Sequence, residues 1–427
     1  MRRLTLGNGL RVVLDPRPAA LVVEVAVHYH AGFRSDPVGR SGLAHLFEHL
    51  MFQGSARVGP GEHHRLVNAA GGHANAATLQ DHTEYYQGGP PSALERFLFL
   101  EADRMRGPRL TSEALRTQVD VVKAEIRLNV TDTATGGPVW TRLPGVLYSG
   151  FTNSHNGYGE FAELERVTLA ECEAFFDRHY APGDAVLTVT GRFDPARAAE
   201  LIHRHFDGIP GRPGPTARDL TSETTVDRRE HHTVPGAWSP SLHVGHQLPD
   251  ASADLTPYAD HVLLSRILTA RLRAALVAPG HAVSAQARCG FFGPLLAHAP
   301  DTFVLSVTHG ERTHPDEVLN TVADHLTALA DEGPSPAELH HATTRAGIET
   351  WRRHDSFTTR VRLAGAFETL HGHAELVDDL PHLLAATTAD GVARAAKRLH
   401  TEPRAVLALT PGAPSSPGAP GAPGGAS

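Results

Sequence analysis

His45-Leu46-Phe47-Glu48-His49 sets two imidazoles and a carboxylate within five residues. The order H-x-x-E-H reverses the H-E-x-x-H pattern by which a helix offers two histidines to one metal ion. A helix turns by about 100° per residue. His45, Glu48 and His49 therefore share one arc, while Leu43, Leu46, Phe47 and Leu50 form the opposite, apolar one. Ser41 stands where a hydroxyl would cap the first turn. Imidazoles at i and i+4 point the same way and can converge on one ion. Glu48 then sits beside the ion rather than on it, where it can act on a water. The pattern implies metal-assisted hydrolysis of amide bonds. Because the chain carries 29 histidines, a plain surface histidine pair is the competing reading, and corroboration has to come from elsewhere in the sequence.

The whole chain has the make-up of a globular protein. Its 427 residues exceed one ordinary core, so two or more domains are expected. Hydrophobic content of 41% and charged content of 20% fit that class. A formal net charge of −8 gives no electrostatic case for binding nucleic acid. Cys172 and Cys289 are too few for a disulfide framework or a thiolate metal site and read as two buried thiols. No stretch reaches the length of a membrane span, and the N-terminus lacks the apolar core of a secretory signal, so a cytoplasmic protein without a membrane partner is expected.

Working outward from the motif, residues 10–14 and 21–29 read as strands bounded by Asn8-Gly9 and Pro16–Pro18. After the motif helix, Gly71-Gly72 ends a further helix. His73–Thr78 and Thr83–Tyr86 can then pair as a hairpin, and 92–106 and 111–129 look helical. Val186–Thr190 followed by a helix over Pro195–Phe206 resembles Thr302–Thr308 followed by a helix over Pro315–Leu329, which suggests an internal duplication. The expected organisation is a first domain over 1–210, a linker over 211–232 rich in Pro and Gly, a second domain over 233–410, and a disordered Pro/Gly/Ala/Ser tail over 411–427.

A catalytic zinc has three protein ligands and one open position, so a third ligand is required. Residues 115, 119, 122 and 126 are apolar at helical spacing, and Glu125 lies beside that stripe, where a carboxylate needs a partner. An arginine would serve as well as a metal, and spacing alone leaves Glu84, Glu101 and Glu113 in competition.

The stretch Gly42-Leu-Ala-His-Leu-Phe-Glu-His-Leu-Met-Phe-Gln-Gly54 resembles the insulinase/pitrilysin family of zinc metallopeptidases, which includes the mitochondrial processing peptidases and their bacterial relatives. That family carries a downstream glutamate in a segment like V-V-x-x-E, and Val121-Val-Lys-Ala-Glu125 matches it. The likeness continues through Gly71–Thr78, Asp81–Tyr86 and Tyr180-Ala-Pro, covers most of 1–210, and is weaker beyond 230, chiefly at Leu264–Arg273. It implies an α+β fold of two homologous halves, each a mixed sheet with helices, forming a clamshell around a chamber. The zinc sits on the first half, and the second has no zinc motif.

The resemblance also implies roles. His45, His49 and Glu125 would hold one Zn²⁺, Glu48 would be the catalytic base, and Gln118, seven residues before Glu125 on the same helix face, would lie behind the ligands. A peptide would add as a strand to the 73–78 edge, with Asn75 and Ala76 as contacts, although Asn75 can equally satisfy its own backbone. Arg273 matches an arginine that helps bind substrate, but Gly280 stands where the family often has a tyrosine. That gap points to a homologous zinc-less partner subunit, or else a homodimer. The function implied is an endopeptidase for short or unfolded peptides, of the processing type that removes leaders. The alternative is a non-catalytic, peptide-binding subunit of a peptidase complex, which would need none of these four residues.

Overall fold

Apolar runs of alternating and continuous type build two sheets in the computed structural model. It describes residues 1–413 except 134–136, 138, 213, 215–219 and 221–224. Strands β1 (Arg2–Thr5), β2 (Arg11–Pro16), β3 (Val23–Tyr29), β4 (His73–Thr78), β5 (Thr83–Gly89) and β6 (Ala185–Gly191) form the first, in the order β1-β2-β6-β3-β5-β4. All residues of β3 and β6 are buried, as befits central strands with both faces covered. β4 is the edge, made of small and polar residues. The second sheet contains β7 (Arg228–Pro235), β8 (Ser241–Gln247), β9 (Ala282–Cys289), β10 (Thr302–His309) and β11 (Ala405–Gly412), in the order β7-β11-β8-β10-β9.

Five strands of the first sheet repeat in the second. β2 pairs parallel with β6 as β7 does with β11, and every later neighbour is antiparallel in both. The duplication is therefore real, but its register differs from the one expected. β6 corresponds to β11, and β10 with its following helix corresponds to β5 and the helix after it. The strand-then-amphipathic-helix pattern recurs at every crossover, so it identifies a kind of unit and not a particular pair. Two segment ends also shift. β7 begins at Arg228, inside the polar stretch read as linker, and β11 runs through Pro411 and Gly412. From residue 414 on, the expected tail lies outside the described residues, as does much of the expected linker.

Helices α1 (Leu43–Leu50), α2 (Glu62–Ala69), α3 (Leu94–Arg106) and α4 (Ser112–Ile126) belong to the first half. In the second, Leu255–Leu272 occupies the place of α1, before the edge strand, and Pro336–His354 that of α4. The two pack together, as α1 packs on α4.

The halves close on each other through the Phe357–His371 helix, which lies across β3 and β6. Gly365 permits that approach, since a Cβ there would come within 2.3 Å of the His28 ring. Buried charge pairs pin the contact. Arg360 Nε meets Asp15 at 2.7 Å and Arg362 Nε meets Glu84 at 2.7 Å, while Arg34, paired with Asp81 inside the first half, donates across the contact to His298 O at 3.1 Å and Pro300 O at 2.5 Å. Breaking one partner of such a pair strands a buried charge and costs about 3–5 kcal/mol. Among the described residues no helix is long and apolar enough to cross a membrane.

Candidate metal centre and peptide edge

Leu43, Leu46, Phe47 and Leu50 bury the apolar arc of α1, as the spacing predicts. Its N-terminus is held differently from the expectation. Ser41 bonds Glu163, and the cap is Asp36, whose carboxylate accepts the N–H groups of Gly42 at 2.7 Å and Ala44 at 2.8 Å. A carboxylate at that end also complements the helix dipole. Gly42 has φ of 82°, and a side chain there would strike Tyr158 O at 2.4 Å. Gly159 meets Ser41 O equally closely. This back-to-back glycine contact lets the 158–159 segment pack against the start of α1.

α1 and α4 then bring three donors together. His45 Nε2 and His49 Nε2 lie 3.7 and 3.4 Å from Glu125 Oε2, and one ligand atom from each of the three lies within 4.8 Å of the others. α4 is capped by Thr111 and buries Leu115, Val119, Val122 and Ile126, which turns Gln118 and Glu125 toward α1. Gln118 is buried and hydrogen-bonds His49. The other candidate carboxylates are elsewhere: Glu101 pairs with Arg104, Glu113 is exposed on the first turn of α4, and Glu84 is held by His28 at 3.0 Å and by Arg362. His28, His82 and Glu84 also lie close enough to share an ion. The Arg362 guanidinium already neutralises that carboxylate, so the group reads as a buried charge pair between halves.

The electrostatics suit a cation. Burial and the neighbouring His49 push His45 down to about 4, which keeps its imidazole neutral and able to ligate. Burial opposes protonation of His49, yet Glu125, Glu48 and Gln118 together hold it above its ordinary value. Its bond to His49 lowers Glu125 against the opposing effect of burial. Two imidazole nitrogens and one carboxylate, all aimed inward with no guanidinium or ammonium among them, form a donor set that fits Zn²⁺. Glu48 is beside this set, its Oε2 accepting from Thr78 Oγ1 at 2.6 Å, and burial raises its carboxyl to about 7. A cation in the site would act in the opposite direction.

Thr78 ends edge strand β4, so Glu48 is tied directly to that edge. On β4 the N–H of Ala76 is accepted by its neighbour Asn75 Oδ1 at 2.9 Å. This N–H thus faces the open edge rather than β5, and Asn75 covers it. Arg273 is placed apart. Its Nε donates to Ala285 O at 3.0 Å on β9 of the second half, and none of its described contacts reaches His45, Glu48 or Glu125.

Three neighbours went unnoticed in the sequence. The Tyr158 ring packs at 5.2 Å on His45, and Asn129 bridges Glu125 and the Tyr158 hydroxyl at 3.4 Å each. Thr78 is the third. Asn129 lies in the wider-wound turn Arg127–Thr131 that prolongs α4, a kind of irregularity common near functional groups. Asn129 stands four residues after Glu125 in a segment read as helical, a local signal that was overlooked; Tyr158 and Thr78 are brought in only by the glycine contact and the hairpin.

A family model described as insulinase (peptidase family M16) matches residues 11–134, and one described as peptidase M16 inactive domain matches 166–345. The zinc protease PqqE of Helicobacter pylori is 30% identical over 207 residues, 48% of this chain and 46% of that protein. The match thus spans about half the length of that relative. An uncharacterised zinc protease of Streptomyces coelicolor is 23% identical over 411 residues, 93% of this chain and 86% of its own. The crystal structure of a protease from Helicobacter pylori has the same fold, with a TM-score of 0.84 at 21% identity over 96% of this chain and 99% of that one. The chain carries both domains of the insulinase/pitrilysin (M16) peptidase family and belongs to it.

Proposed function

We propose that this chain is a zinc endopeptidase acting on short or unfolded peptides, with His45, His49 and Glu125 as metal ligands and Glu48 as general base. The observation that carries the reading is the meeting of three convergent donors, two imidazoles and a carboxylate, with a second carboxylate tied to an open sheet edge. A zinc ion held there supplies the Lewis acidity that amide hydrolysis needs. Glu48 takes a proton from the attacking water as the C–O bond forms, and returns it to the amine as the C–N bond breaks. Thr78 donates to one Glu48 oxygen, which orients the other toward the reacting water. Gln118 and Asn129 hold His49 and Glu125 in place. The peptide lies along β4 as an added strand, its main chain bonding at Ala76. A second chain, either a zinc-less homologue or another copy, supplies the substrate contact for which the family often uses a tyrosine and this sequence has Gly280.

A Glu48→Gln variant tests the assignment. It should retain about one zinc per chain and lose at least roughly 100-fold in kcat. Turnover within a few-fold of the parent would remove Glu48 from the chemistry.

A further inference from the structure

A cavity of about 1020 Å³ lies in the second half, away from the histidine pair. Its walls are β9, the Leu255–Leu272 helix with its continuation to Val277, and the Pro336–His354 helix. By strand order these are the counterparts of β4, α1 and α4. The cavity thus occupies, in the second half, the place that the metal centre occupies in the first. Its chemistry has changed sign. Arg266, Arg273, Arg288, Arg345, Arg352 and Arg353 line it, against two carboxylates, Glu338 and Glu349. Both carboxylates are already neutralised. Arg271 clamps Glu338 through two bonds, of 2.7 and 3.0 Å, and Arg266 holds Glu349 at 2.6 Å with Arg345 at 3.6 Å. Among the described residues Arg273, Arg288, Arg352 and Arg353 have no carboxylate within ion-pair distance, although the chain as a whole is acidic.

This cavity adjoins a second one that reaches the peptide edge. A smaller one of about 380 Å³ shares Val262, Phe292, Thr350 and Arg353 with it and reaches Ala77 and Thr78 of β4. An extended chain leaving the edge beside Glu48 therefore runs into the arginine-lined space.

We propose that this cavity binds acidic side chains of the peptide whose main chain lies on β4, so that substrates are selected for Glu or Asp away from the cut bond. The inference rests on the endopeptidase reading above. Carboxylates match guanidinium forks in geometry as well as charge, and partial enclosure makes each pair stronger than on an open surface.

The test uses the full chain loaded with zinc and two internally quenched peptides sharing one core, flanked on both sides by several glutamates or by glutamines. The glutamate peptide should have kcat/KM at least about tenfold higher at low salt, and the advantage should shrink severalfold at about 0.5 M salt. The double variant R288Q/R353Q should bring the ratio close to one by raising KM for the glutamate peptide. R352Q/R353Q, at two exposed positions, does the same in part if the first fails to fold. Arg65→Gln, on α2 and paired with Glu62, should leave the ratio unchanged. Fluorescence anisotropy with the E48Q protein reads the same preference without turnover. Equal cleavage and equal binding of both peptides would overturn this inference while sparing the peptidase reading. Charge-selective binding with no cleavage of either by the parent would do the reverse.

Discussion

Ala76→Pro probes the peptide edge with little disturbance elsewhere. Ala76 lies opposite Tyr85 in the β4–β5 ladder, yet its N–H is taken by Asn75 Oδ1. Residues in an antiparallel pair alternate between bonded and non-bonded sites, so Ala76 occupies a non-bonded one, with N–H and C=O both facing outward. Proline there removes no bond between β4 and β5, and an edge strand tolerates proline at such a site. A bound peptide, by contrast, loses one main-chain hydrogen bond. At about 0.5–1.5 kcal/mol net, that alone is roughly a 2- to 13-fold loss of affinity. The proline ring also projects into the space of the added strand, so at least about tenfold is expected. The assay is anisotropy titration of a labelled peptide into E48Q and E48Q/A76P, with thermal melts alongside. The expected result is weaker binding at nearly the parental Tm. Binding within twofold of the parent would refute the edge-strand account, and a collapse of Tm would place this N–H inside the ladder.

Two further outcomes follow from the packing between halves. Glu24 is buried, its Oε2 without a hydrogen bond and 3.6 Å from His73 Nε2, and burial raises its carboxyl from 4.5 to about 7, against a lesser opposing bond from Thr358. The folded chain thus keeps a proton that the unfolded chain releases above about 4.5. Stability is greatest below that pH and falls as pH rises toward 7, by at most about 3 kcal/mol. Glu24→Gln should therefore raise the unfolding free energy at pH 8 by about 1–3 kcal/mol, and with it the denaturation midpoint, and change little at pH 4. A midpoint lowered at pH 8 would contradict this. Gly365→Ala would normally stabilise a helix by up to about 1 kcal/mol. Here the Cβ meets the buried His28 ring, and a loss of about 1–3 kcal/mol is expected instead. A higher Tm in this variant would show that the contact between helix and sheet is looser than described.

The cluster of His45, His49 and Glu125 was approachable from sequence because the chemistry proposed for it needs particular residue types at particular helical spacings. His45, Glu48 and His49 share a face of one helix, and Gln118 and Glu125 share a face of another, whatever the rest of the fold does. Meeting of the two faces is a tertiary fact, and there the family likeness chose Glu125 over Glu84 and Glu101, which spacing left open. Asp36, Thr78 and Tyr158 were illegible for the same reason, whereas Asn129, four residues after Glu125 on a segment read as helical, was open to the spacing argument. Asp36 caps a helix from seven residues before its first turn, and Tyr158 arrives through the contact of Gly42 with Gly159. The duplication was visible as pattern, but strand order resides in pairing, which one-dimensional periodicity does not encode. The arginine-lined cavity escaped notice because its residues come from two helices and a strand spread from Val262 to Arg353.

The central claim is that three side chains from two helices share one ion. Anomalous diffraction at the zinc edge, on crystals of the full chain grown with one equivalent of zinc, tests it most directly. The account predicts a single strong peak about 2.0–2.2 Å from His45 Nε2, His49 Nε2 and a Glu125 carboxylate oxygen, absent in His45→Ala. A peak at His28, His82 and Glu84 instead, or a zinc held by the two histidines with Glu125 turned away, would contradict it.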